Sequence, residues 1–305
     1  MTFSARPSSL PAPRPPARRG ARCALLVLAV AGLGLAACGG DDGAGTTATT
    51  AASAGTTAAA SDTTATEHGD HGDHDHAAEG PTVVASTGWV AAIADAAGAG
   101  EVTAIAPNSV QHPPDYEPKP SDLAAVAEAD FVVLAGFEGF AEQLRSAAGS
   151  DAEVIVVEPS YDPAKLEAQI MLLAEAFGTT ETAEARAAEL VDGIEAVSAA
   201  LKADVGSRKP VVVAHLFAAE WAGLAGLTPA GTYGPEPISA SQTAELAALD
   251  PELVFENSHM AGSGAAVAGA SGAKVVALVN FPGDDLDLVA VAEQNADAIR
   301  EALGV

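Results

Sequence analysis

TVVASTGWVAAIADAAGAGEVTAIAP, residues 82–107, sets the architecture. Its short apolar run TVVAST reads as a strand over 82–87, Trp89 to Ala97 as a helix, and EVTAIAP as a second strand over 101–107. Strand, helix and strand in immediate succession are the signature of a parallel crossover, because parallel strands need a long connection between them.

The same rhythm continues outward. SDLAAVAEA (121–129) reads as a helix with Ser121 or Asp122 suited to cap it. DFVVLAG (130–136), a helix over 138–148 and AEVIVVEP (152–159) complete four strands alternating with helices. A long helical stretch follows from Pro163 to about Val205, broken at Gly178-Thr179-Thr180. In it Ala185, Ala188, Leu190, Val191, Ile194, Val197 and Leu201 recur at spacings of three and four. Strand signals then resume at PVVVAH (210–215), LVFENSH (253–259) and AKVVALVNF (273–281). Helices are read through Trp221, near Ala240–Leu249 and from Leu286 to Leu303. The fold class expected is α/β: two parallel-sheet lobes joined by a long interlobe helix, with a cleft between them. The boundaries read 81–160 for the first lobe, 161–208 for the helical linker and 209–305 for the second lobe.

The preceding 80 residues have a different texture. Arg6, Arg14, Arg18, Arg19 and Arg22 precede the apolar run Ala24–Ala37, which has the length and basic flank of a signal-peptide core and is short for a membrane span. It ends in Leu35-Ala-Ala-Cys38, similar to a bacterial lipobox, so residues 1–37 are expected to be a signal peptide and Cys38 a lipidated N-terminus. Arg18-Arg19 leaves both the general and the twin-arginine export routes open. The chain's other cysteine, Cys23, would leave with the signal, which excludes disulfides and thiolate ligands from the folded part. Residues 38–80 read as a lipid-anchored tether of Ala, Thr, Gly, Ser and Asp, spanning about 35 Å as a flexible coil. Near its end His68, His71, His74 and His76 alternate with aspartates, a composition that chelates transition metals.

All 41 acidic residues lie after Ala37, against nine of the 14 Lys and Arg, so the mature chain carries a net charge of −32. Such a chain repels phosphate backbones, which excludes nucleic acid as a partner and favours cationic ligands.

Beyond the tract, three histidines remain: His112, His215 and His259. Each falls at or just past the end of a predicted strand, where parallel α/β sheets gather ligands. His112 sits in HPPDYEPKPSDL, where Pro113, Pro114, Pro118 and Pro120 stiffen the backbone and preorganise a ligand before an ion arrives. Three imidazoles and one carboxylate form a reasonable zinc set, whereas manganese would favour more oxygen. Glu138 and Glu158 rank equally for the carboxylate, with Asp284 or Asp285 next.

Tyr116-Glu117-Pro118-Lys119-Pro120-Ser121-Asp122 resembles the Y-E-P-x-P-S-D segment of the solute-binding lipoproteins of zinc- and manganese-type ABC importers. ADFVVLAG, VVVAH with Phe217 and Trp221, and VNFPG support the likeness from Val83 onward. The resemblance implies a monomeric metal-binding protein outside the cytoplasmic membrane, serving a permease and carrying Zn²⁺, with Mn²⁺ or Fe²⁺ as alternatives. It implies ligands at His215 and, displaced by two positions, at His112, since Pro114 stands where the family has its first histidine. Aligning the family's H-x-W-x-D-P with Asp162-Pro163 puts Glu158 at its second histidine. Its final acid falls near Val279-Asn280, leaving His259, with Glu256 beside it, as the substitute.

Two alternatives stay open. A metal chelate would suit a wider cleft lined by Trp89, Tyr116, Phe137 and Trp221. A zinc hydrolase would use the same histidines with an open coordination position, although neither an HExxH helix nor a nucleophile elbow occurs.

Overall fold

The computed structural model describes residues 80–110 and 112–305. The signal segment, Cys38 and the tract His68, His71, His74 and His76 lie outside the described residues.

Four strands, β1 (Thr82–Ala85), β2 (Glu101–Ala104), β3 (Phe131–Leu134) and β4 (Glu153–Val156), form one parallel sheet in the order β2-β1-β3-β4. A second parallel sheet repeats the pattern as β6-β5-β7-β8, from β5 (Val212–His215), β6 (Gly231–Tyr233), β7 (Leu253–Asn257) and β8 (Lys274–Leu278). Each sheet therefore has a topological switch point beside its first strand, between β1 and β3 and between β5 and β7.

The helices are α1 (Gly88–Ala96), α2 (Pro120–Glu128), α3 (Ala141–Ala147), α4 (Pro163–Phe177), α5 (Thr180–Val205), α6 (Ala219–Leu224), α7 (Ala240–Ala247), α8 (Ala265–Ser271) and α9 (Leu288–Leu303). Their ends carry expected chemistry. Asp162 caps α4 through the Lys165 amide, with Pro163 in the first turn, and Gly178 closes it at φ 72°, a left-handed position glycine adopts without strain. The cap of α2 differs from the sequence expectation. Pro120 occupies the first turn, so Lys119 is the cap and Asp122 accepts its backbone N–H at 2.8 Å.

Side-chain alternation along the strands divides the core. Val83, Val133, Val212, Ala214, Leu253 and Phe255 face one continuous apolar cluster that also takes in α1, α4, α5, α6 and α9. Val84, Val132 and Leu134 point to the other face of the first sheet, and Val213 and Val254 to that of the second, each covered by a smaller cluster. The 26-residue α5, about 39 Å long, contributes Ala183, Ala187, Ile194, Leu201 and Val205 to the shared cluster. The two sheets are thus parts of one hydrophobic body.

The sequence reading missed β6 and α8. The first is three residues long, and the second is built from Ala, Val, Gly and Ser with little periodicity.

Candidate metal-binding cleft

A cavity of about 490 Å³ lies between the sheets, and every strand supplies it from its C-terminal end. Trp89 follows β1, His112 and Asp115 follow β2, Phe137 follows β3, and Glu158 follows β4. Leu216, Phe217 and Glu220 follow β5, Pro235 follows β6, His259 and Met260 follow β7, and Asn280 and Phe281 follow β8. That convergence is the site geometry a paired parallel α/β fold produces.

The predicted ligands separate into two groups. His112, Glu158 and His259 line the cavity. The first sits immediately before a short 3-10 turn, Pro113–Asp115, and its Nδ1 lies 2.8 Å from the Asp115 carboxylate. The contact lacks hydrogen-bond geometry, so the carboxylate stands beside the ring without a bond that fixes its orientation. The ring of His259 meets Phe281 edge-on at 4.8 Å, and its backbone N–H donates to Asn257 Oδ1 at 2.9 Å. Glu158 is exposed, and its backbone N–H donates to Gln169 Oε1 at 2.9 Å.

His215 and Glu138 stand outside the cavity wall. His215 is fully buried; its Nδ1 accepts from the Phe217 amide at 3.2 Å, and its ring packs on Tyr233 and Phe217. Nε2 is without a hydrogen-bond partner and faces Gly234, where an added Cβ would lie 2.4 Å away. Burial lowers the His215 pKa from its ordinary value, with Glu256 opposing that shift. Glu138 is buried at the switch point of the first sheet, where Oε1 accepts from the Ser86 hydroxyl and the Ala135 amide. Its Oε2 has no hydrogen-bond partner. Among the described residues, no three His, Asp or Glu side chains stand close enough to share one ion.

Three features escaped the sequence. Glu220, in the first turn of α6, lines the cleft and accepts from the Ser160 hydroxyl (2.8 Å) and the Tyr161 amide (3.2 Å). Burial raises its pKa. Its place just past a strand end was the available signal. Asn280, at the position where the family resemblance expects an acid, is consumed by structure. Its Oδ1 accepts from Trp221 Nε1 (3.0 Å), its Nδ2 donates to the Phe217 carbonyl (2.7 Å), and its carbonyl accepts from the Tyr161 hydroxyl (2.9 Å). Asp284, ranked low as a ligand, accepts instead from Asn108 Nδ2 across the lobes at 3.0 Å. Of the aromatics proposed for a wider cleft, Trp89 and Phe137 line it. Tyr116 is tied to Asp122 and packed on Phe140, and Trp221 is buried against Tyr161.

Residues 83–302 match the family model described as zinc-uptake complex component A, periplasmic (ZnuA). The chain belongs to this family. Members are solute-binding components of metal-importing ABC systems and not enzymes, which removes the hydrolase alternative. Comparison with curated sequences gives no match. Among solved structures, the laminin-binding protein Lbp of Streptococcus pyogenes is 20% identical, covering 73% of this chain and 99% of its own, with a TM-score of 0.55. A Mn-bound periplasmic metal-binding protein from Candidatus Liberibacter asiaticus is 14% identical, covering 72% and 98%, with a TM-score of 0.56. The solute-binding protein FpvC of P. aeruginosa, in complex with Ni²⁺, is 18% identical, covering 73% and 96%, at 0.57. These likenesses establish the two-lobed fold. The family places this ZnuA-family protein outside the cytoplasm as the metal-binding part of an importer, and no described helix is long and apolar enough to cross a membrane.

Proposed function

We propose that this protein captures a divalent transition metal, zinc foremost, in the cleft between its sheets and hands it to a membrane permease. In this reading it acts as a monomer tethered by lipid on Cys38 to the outer face of the cytoplasmic membrane, with the His68–His76 tract gathering ions nearby. The observation that carries it is the convergence of all eight strand ends on one cleft lined by His112, His259 and Glu158. Imidazole nitrogen with carboxylate oxygen suits zinc better than an all-oxygen ion, and Mn²⁺ or Fe²⁺ remain the competitors. His215 and Glu138 would join only after rearrangement of their buried hydrogen-bonding sites.

The test uses the mature chain with His68, His71, His74 and His76 replaced by alanine, stripped with chelator and titrated with Zn²⁺, Mn²⁺ and Ni²⁺ in competition. His112→Ala and His259→Ala should each weaken zinc by about ten-fold or more. Unchanged affinity in both would sink the cleft assignment. His215→Ala decides separately whether the buried imidazole is recruited. Neutral imidazoles are needed for ligation, so affinity should fall on acidification. Labelled fatty acid should be incorporated in cells and lost in Cys38→Ala.

A further inference from the structure

We infer that Glu220 is a positioning residue for the metal site: from the second lobe it holds the first-lobe loop that presents Glu158 to the cleft. The inference rests on the cleft being the metal site and on Glu158 being one of its donors. Glu220 stands in the first turn of α6, and Glu158 lies in the irregular stretch between β4 and α4. Both line the cavity. One carboxylate oxygen of Glu220, Oε2, accepts two bonds from that stretch, from the Ser160 hydroxyl at 2.8 Å and the Tyr161 amide at 3.2 Å. These donors come two and three residues after Glu158, so the bond across the lobes ends beside the proposed ligand in the chain.

Burial of the donors gives this clasp its force. Ser160 is 6% exposed and Tyr161 is fully buried. A buried hydroxyl or amide without an acceptor is costly, and bonds to an ionised carboxylate are stronger than neutral ones. Without the carboxylate, the loop recovers partners for these donors by turning them toward water, and Glu158 moves with them. From its own lobe Glu158 is held by its backbone N–H on Gln169, and its side chain is exposed. A donor on a loose loop loses entropy when an ion fixes it, whereas a loop already clasped has lost it beforehand. Tyr161 keeps its other anchors when Glu220 is replaced. Its ring stacks on Trp89 at 5.1 Å and meets Trp221 at 4.5 Å, and its hydroxyl donates to the Asn280 carbonyl at 2.9 Å. The lobes therefore stay joined in a Glu220 variant while residues 158–160 lose their hold across the cleft.

The test is a double-mutant cycle on zinc affinity, read by chelator competition on the mature chain with its four tract histidines replaced by alanine. Denaturant unfolding of the metal-free variants reads stability separately. Glu158→Ala and Glu220→Ala should each weaken zinc by about ten-fold, a loss typical when a ligand or its support is removed. In the Glu158→Ala chain, Glu220→Ala should weaken zinc by less than about two-fold further, because a positioning residue acts only through the ligand it positions. Glu220→Gln offers Ser160 and Tyr161 an acceptor again and should restore affinity to within about two-fold of the unsubstituted chain. Glu220→Met, which fills the space without an oxygen acceptor, takes the place of Glu220→Ala should the latter unfold. Independent losses, in which the double variant falls by the product of the single ones, overturn the inference. So does full affinity in Glu220→Ala. A loss in Glu220→Gln as large as in Glu220→Ala, with stability intact, also overturns it and makes the carboxylate itself a metal contact. If Glu158→Ala keeps full affinity while His112→Ala and His259→Ala lose it, the inference falls and the cleft reading stands. If none of these variants changes zinc binding, both fall.

Discussion

The two sheets share one strand order and finish it with opposite chemistry. At the switch point of the first, Glu138 is sealed in by the Ser86 hydroxyl and the Ala135 amide. In the second, His215 at the end of β5 packs against Tyr233 on β6, the neighbour on the opposite side from β7, while Glu256 on β7 is held by the Gly264 amide. The helices that follow the first strands differ in the same way. Trp89 on α1 keeps a buried, unmatched N–H, whereas Trp221 on α6 spends its N–H on Asn280. A repeated backbone supplies equivalent strand ends; the side chains decide that a buried carboxylate is held by hydrogen bonds at one and a buried imidazole is packed among rings at the other.

The largest expected effect comes from breaking the Trp221 side of this comparison. Trp221→Ala removes a fully packed ring and should cost about 3–5 kcal/mol in denaturant unfolding. Trp221→Phe should cost about 1–2 kcal/mol more than Trp89→Phe, because only the former strands a buried acceptor on Asn280. Equal costs would deny the asymmetry. Gly234→Ala should lose about 2–3 kcal/mol, since its φ is 82° and the new Cβ would strike His215. In the first lobe Gly139→Ala meets nothing nearer than 3.6 Å and should change stability by less than about 0.5 kcal/mol.

A pH series sharpens the comparison further. The folded-state pKa of His215 is depressed by burial, so folding binds fewer protons than unfolding does in the region below 6.5. Its contribution is full above that value and is lost as pH falls toward the lowered one. Melts between about pH 7.5 and 5 should show this loss, and His215→Gln should reduce the slope. A small effect also concerns Glu220, whose pKa is raised by burial. Its contribution is present below 4.5 and is lost as pH rises through the folded value. Glu220→Gln keeps an acceptor for Ser160 and Tyr161 and should raise neutral-pH stability by less than about 1 kcal/mol, read as a small Tm gain. A clear loss would show that the carboxylate charge itself holds the lobes together.

Much of this was legible along the chain. Alternating apolar runs and helical spacings placed seven of the eight strands, and the break at Gly178 separated α4 from α5 because a left-handed closing residue favours glycine. His112, Glu158 and His259 were readable as cleft residues because strand ends in parallel sheets face ligands. Glu138 and His215 sit at equally good strand ends, yet sequence position does not say which way a side chain turns. Ser86 captures one, and Tyr233 with Gly234 encloses the other. Asn280 shows the same limit from the opposite side, since only its partners reveal an amide joining Trp221, Phe217 and Tyr161.

By itself, the sequence determined the class of fold, the family through its Tyr116–Asp122 segment, the absence of thiols after Cys38 and the strongly acidic balance of the mature chain. These depend on periodicity, motif and composition, which are local or additive properties. Tertiary structure alone decided which predicted ligands share a cavity, which are spent on buried hydrogen bonds, and how apolar the cleft wall is. Those depend on side-chain direction and on contacts between residues as far apart as Tyr161 and Asn280, and only the folded chain brings them together.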